Sequence, residues 1–99
     1  MSKDAPSDLH AMKNLGRTTV QWLNAIGIHS RTQLEASGAV NAYLAMRSRG
    51  FRATRVALYS LHGALADISW REVPQDVKRQ LTVDAGEVPE SELYRQAAG

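Results

Sequence analysis

Leu15-Gly16-Arg17-Thr18-Thr19-Val20-Gln21-Trp22-Leu23-Asn24-Ala25-Ile26-Gly27-Ile28-His29-Ser30-Arg31-Thr32-Gln33-Leu34 holds two helix starts of the same kind. Thr18 is followed three residues later by Gln21, and Ser30 three residues later by Gln33. In such a pair the hydroxyl accepts from a first-turn N–H while the Gln reaches back to the cap residue's own N–H. Gly16 and Gly27 precede the two starts and suit turns that need positive φ or close chain approach. Between them Val20, Trp22, Leu23 and Ile26 give a short helix a wide apolar side. The stretch therefore reads turn, helix, turn, helix. A helix from about Ser7 to Asn14 ahead of it makes a helix-hairpin-helix arrangement.

Outward from this stretch the chain stays helical. Residues 1–6 carry no periodicity and read as a flexible arm. Ser7 caps a first helix holding Leu9 and Met12, with Asn14 as its left-handed stop. The second start leads into a helix from Arg31 to about Ser37, ended by Gly38. A further helix spans about Ala39 to Arg49, with Val40, Tyr43 and Leu44 spaced as one face, Gly50 as its stop and Phe51 folding back on it. Thr54 caps the longest segment, Arg55 to Ala66. Its stripe of Leu58, Leu61, Leu65 and Ile68 marks it as the central helix. Gly63 inside it costs about 1 kcal/mol relative to Ala, which a close crossing would explain. Ser69-Trp70-Arg71-Glu72 is another capped start, cut to one turn by Pro74. Pro74 opens a last helix, Gln75 to about Ala85, with Val77 and Leu81 inward and Gly86 after it. Residues 86–99 read as a tail, frayed or disordered. Apolar residues recur at three and four rather than two, so no strand is expected. The fold class is all-α: one domain over residues 7–85 with five or six short helices. Its core is Trp22, Leu23, Ile26, Leu34, Leu44, Leu58, Leu61, Leu65 and Trp70.

Composition narrows the function classes. Ninety-nine residues suit one domain with one modest core. The absence of cysteine removes disulfides, thiolate metal sites and cysteine nucleophiles, and fits a reducing cytoplasm. The polar N-terminus lacks the apolar core of a secretory signal, and no apolar run approaches the roughly 20 residues of a membrane helix. Net charge is +2 but unevenly spread. Leu9 to Ala66 holds seven basic residues and one acid, Glu35, whereas Asp67 to the end holds seven acids and four bases. Such asymmetry marks a nucleic-acid or acidic-partner face, or simply a helical domain with its acids placed late.

A family resemblance adds to this reading. Leu15-Gly16, Trp22-Leu23, Gly27-Ile28, Leu34, Gly38-Ala39-Val40 with Tyr43, Leu58-Tyr59, Leu61 with Gly63-Ala64-Leu65, Trp70 and Pro74 together resemble the C-terminal domain of the TfoX/Sxy family, bacterial regulators of natural competence. The resemblance spans about residues 10–83 and rests mostly on core positions and turn glycines. It implies an all-α domain akin to helix-hairpin-helix modules and a role in transcriptional regulation. The α/β domain that precedes it in full-length regulators has no counterpart here, so the chain reads as a stand-alone C-terminal domain.

Two constellations could carry binding. In a nucleic-acid-binding hairpin, the turn and the first N–H groups of the next helix face a phosphate. Here those residues are Gly16, Arg17, Thr18 and Thr19. DNA-binding versions usually place a second glycine where this chain has Arg17, and the same residues would serve a hairpin with no ligand. Arg47, Arg49, Arg52 and Arg55 flank the Gly50 turn with no acid nearby in sequence. As one patch they suit phosphate contacts of salt-dependent affinity, or form a solvated face. Trp22 and Trp70 read as core, Tyr43 and Tyr59 as half-buried with hydroxyls outward. His10, His29 and His62 lie far apart, so no metal or other cofactor is expected. Nothing shapes a pocket for Ser-His-Asp chemistry, so no enzyme is expected. The expected partner is nucleic acid through its phosphate backbone, or alternatively a regulatory protein, with no membrane; oligomeric state is not legible.

Overall fold

The computed structural model describes residues 8–87. Within them a 3₁₀ turn, Asp8–Ala11, precedes α1 (Arg17–Ala25), α2 (Arg31–Ser37), α3 (Ala39–Ser48) and α4 (Arg55–Ala66). A second 3₁₀ turn, Trp70–Glu72, leads to α5 (Gln75–Asp84), and no strand occurs among the described residues. The expected arm over 1–6, the Ser7 cap and the tail beyond Glu87 lie outside the described residues.

Helix ends follow local chemistry. Four of the five helices stop in the same paired arrangement, in which two N–H groups past the end return to carbonyls of the last turn. After α3, Gly50 N–H bonds Arg47 O at 2.9 Å and Phe51 N–H bonds Met46 O at 3.1 Å, as the Gly-Phe pair predicts. Gly27, Gly50 and Gly86 hold positive φ at three of these ends, and Asp67, at φ 61°, does so after α4. Ser30 caps α2 through Gln33 N–H at 3.1 Å, while the Gln33 amide reaches His29 N–H, one residue ahead of the expected partner. The box at Ser69 and Glu72 forms as expected.

α4 is the central helix, packed on α2, α3, α5 and the second 3₁₀ turn. Leu58, Leu61 and Ala64 on it are buried, together with Leu9, Val20, Leu23, Leu34, Ala42, Tyr43 and Met46. Gly63 faces a close approach, made by the N-terminal turn rather than by a crossing helix. Asn14, at φ 70°, donates through Nδ2 to Ile68 O at 2.9 Å and Ser60 O at 3.3 Å, and accepts from Trp70 N–H at 3.1 Å. A Cβ on residue 63 would lie 2.6 Å from that Nδ2 and 2.7 Å from Ile68 O.

Several expectations are corrected. The segment before Asn14 is a 3₁₀ turn, because Leu9 and Met12, three apart, both enter the core and three residues per turn align them. α1 begins at Arg17 rather than Thr18. Gly16 occupies the cap position, Val20 N–H bonds Gly16 O at 3.0 Å, and no side chain caps the start. Gly16 has φ −87° and a Cβ there would meet nothing within 4 Å, so neither positive φ nor close approach requires it. Leu44 is 39% exposed. α3 is wedged among α1, α2 and α4 and turns Ala39, Ala42, Tyr43 and Met46 inward, leaving Leu44 about 100° round the helix from Tyr43. Trp22, Ile26 and Leu65 are half-buried against the core rather than inside it. Trp70 is half-buried too, with Arg71 and Lys78 over its ring.

Candidate nucleic-acid interface

The loop between α3 and α4 carries the basic residues, and three local features shape it. The turn at Gly50 sends Phe51 back toward α1, where its ring stacks on Trp22 with centroids 5.5 Å apart and planes 7° from parallel. Arg47 Nη1 donates to Ala53 O at 2.9 Å, bracing the loop from the end of α3. Ala53 is buried, which pins the approach to α4. Arg47, Gly50, Phe51, Arg52, Ala53 and Thr54 line an open hollow of about 350 Å³ on this surface.

The four arginines read as one phosphate-contacting patch or as a solvated face, and the fold divides them. Glu87, just past α5, brings its carboxylate to Tyr43 Oη at 2.7 Å, to Arg55 Nε at 3.4 Å and to Arg47 Nε at 4.0 Å. Arg47 and Arg55 are therefore partnered by an acid distant in sequence. Arg49 and Arg52 are exposed, and their side chains make no hydrogen bond or ion pair with the described residues. Tyr43 is 1% exposed and its hydroxyl points at Glu87, against the expectation of a half-buried side chain with its hydroxyl outward. Burial first, and then the Glu87 hydrogen bond and charge, raise its pKa, with Arg47 pulling the other way.

In the hairpin, Gly16, Arg17 and Thr18 are exposed and Thr19 is half-buried at the uncapped start of α1. The unpaired first-turn N–H groups and the helix dipole favour an anion there. Trp22 lies about 7.5 Å of helix rise beyond Arg17. The Trp22–Phe51 stack thus ties the hairpin helix to the arginine loop. Among the described residues no three His, Asp or Glu side chains come together to hold a metal ion. No helix among them is long and apolar enough to cross a membrane.

Sequence reasoning missed Glu87 and the role of the Tyr43 hydroxyl. Glu87 is 44 positions from Tyr43 and 32 from Arg55, and no periodicity links such separations. The available signal was Gly86: a glycine stop after a helix directs the following residue back along that helix.

The arrangement of helices is shared with a solved structure. A crystal structure of an uncharacterized protein from Listeria monocytogenes, in its triclinic form, is similar over 81% of this chain and 96% of that one, with a TM-score of 0.73 and 25% identity. A search of curated proteins finds no match. Residues 5–85 match the family model described as TfoX C-terminal domain. With that match over most of its length and an all-α fold in agreement, the chain belongs to the TfoX C-terminal domain family.

Proposed function

We propose that this chain is a non-catalytic bacterial regulatory module, cytoplasmic and of the kind the competence regulators carry, that binds nucleic acid weakly through the phosphate backbone. The observation that carries this reading is the braced loop presenting Arg49 and Arg52 to solvent with no acid against them among the described residues. Arg17 and the uncapped start of α1 extend the same reading to the helix stacked on that loop. Among the described residues no side-chain set resembles a base-reading surface, so the contacts are electrostatic and largely independent of sequence.

The test is fluorescence anisotropy with labelled single-stranded and duplex DNA at low and physiological ionic strength. Expected dissociation constants are roughly 1–100 μM, weakening steeply with salt. Arg49→Ala with Arg52→Ala should flatten the slope of log K against log salt by about one to two without changing helicity. Absence of binding to either nucleic acid at low salt overturns the reading. A protein-docking role then takes its place, favoured by Leu44 and Val56, 39% and 43% exposed on the two helices that flank the loop.

A further inference from the structure

Glu87 places one anion among three donors. Its carboxylate accepts the Tyr43 O–H at 2.7 Å and the Arg55 Nε–H at 3.4 Å, with Arg47 Nε at 4.0 Å. Among the described residues, Glu87 therefore draws two guanidinium groups to one carboxylate. All three donors have other contacts besides Glu87, Arg55 included. Tyr43 is buried in the core, and Arg47 is anchored on Ala53 O, its guanidinium 5.7 Å from the centre of the Tyr43 ring. Hydrogen-bond donors converging on a two-oxygen anion are the geometry by which proteins hold carboxylates and phosphates alike.

Glu87 itself is held closely by the Tyr43 hydroxyl but loosely by the two guanidinium groups. It is the third residue beyond the end of α5, turned back by Gly86 at φ 78° and tied by its N–H to Thr82 O at 3.0 Å. Its distances to the two guanidinium groups exceed those of a tight charge-assisted bond, about 2.7–2.9 Å. Its side chain keeps 24% exposure, so water and salt screen the pairing.

We propose that Tyr43, Arg47 and Arg55 form a phosphate site, and that Glu87 is its internal occupant, displaced when a backbone phosphate binds. The inference rests on the reading above that the domain contacts nucleic acid, and adds how that contact is regulated. Arg47 also lines the hollow that holds Arg52, so the masked site adjoins the exposed one. A phosphodiester carries one negative charge, as the carboxylate does, so the exchange leaves the local charge unchanged. With Glu87 in place, the loop offers Arg49 and Arg52; with it displaced, Arg47 and Arg55 join them. The acid thereby holds the affinity down and limits the number of phosphates engaged.

The experiment compares wild type with Glu87→Gln, and with Asp84→Asn as a control of equal charge change on the exposed side of α5, by anisotropy with a labelled single-stranded oligonucleotide. Circular dichroism and melting establish that each variant is folded. Glu87→Gln should bind about three- to tenfold tighter at low salt and steepen the salt slope by about one to two, as released arginines engage further phosphates. Asp84→Asn should change affinity less. Adding Arg47→Ala and Arg55→Ala should abolish the gain from Glu87→Gln. A second readout needs no nucleic acid: absorbance titration of Tyr43 should show its pKa lowered in Glu87→Gln, since Glu87 contributes to raising it. If wild type binds and Glu87→Gln is no tighter than Asp84→Asn, the masked site is overturned while the proposed function stands. If neither wild type nor Glu87→Gln binds, both are overturned.

Discussion

Gly63→Ala tests whether the N-terminal turn is stapled to the central helix as described. The new methyl carbon would lie 2.6 Å from Asn14 Nδ2 and 2.7 Å from Ile68 O, where ordinary contacts are about 3.5 Å or more. Each neighbour must retreat by most of an ångström. Asn14 cannot do so without lengthening its bonds to Ser60 O, Ile68 O and Trp70 N–H. Ile68 O is backbone, and Ile68 N–H is itself bonded to Gly63 O at 2.9 Å. Overpacking of this kind costs about 1–3 kcal/mol, and each hydrogen bond lost adds about 1 kcal/mol. Alanine's better helix propensity offsets about 1 kcal/mol. The net expectation is a destabilisation of about 2 kcal/mol, or a Tm lower by roughly 8–16 °C for a domain of this size. Thermal and urea unfolding followed by far-UV circular dichroism measures it. In an Asn14→Gly background, which tolerates the positive φ and removes the amide, the cost should shrink by about 1 kcal/mol through direct coupling. A Gly63→Ala variant melting at or above wild type would refute the close approach, and with it the stapling of the turn.

Three further outcomes follow from the same packing. Leu61→Ala, at a fully buried position, should cost about 2–5 kcal/mol, whereas Leu44→Ala on the exposed side of α3 should cost under about 1 kcal/mol; urea unfolding of the pair separates the observed α3 register from one that buries Leu44. Gly16→Ala should shift stability by under about 0.5 kcal/mol, because the site is extended and open, while Gly50→Ala, forced to φ 88°, should lose about 1–2 kcal/mol; equal losses would contradict the two backbone conformations. Tyr43 ionises above its usual 10.0 in the folded chain, whereas the unfolded chain gives up that proton first. Its contribution to stability is therefore fully present below about pH 10 and is lost as pH rises through the folded pKa; a Tyr43→Phe variant whose stability falls as steeply as wild type across that range would speak against it.

The helical class, the bounds of α2 and α4 and the stops at Gly38, Gly50 and Gly86 were legible along the chain. Each depends on interactions within about five residues: a serine hydroxyl on a first-turn N–H, a left-handed glycine, a leucine stripe of helical period. The α1 start was misread for a related reason. Thr18 is a good cap by type, but Gly16, two residues earlier, takes the cap position and no side chain caps the start.

What the tertiary structure decided was which side of each helix faces inward and which charges meet. The apolar residues of α3 allow two neighbouring faces. Only the packing of α1, α2 and α4 around it selected Ala39, Ala42, Tyr43 and Met46 over Leu44. Asn14 carries a legible stop signal, but its reach to Ser60, Ile68 and Trp70 exists only once α4 has docked. The arginine patch shows the limit most clearly. Along the chain Arg47 and Arg55 have no acid near them, while in space Glu87 stands between them, because a Coulomb interaction depends on distance through the fold and not on separation in sequence. Local chemistry was sufficient to place the helices; the pairing of charges that governs the candidate site required the fold that brings the end of α5 back onto α3 and α4.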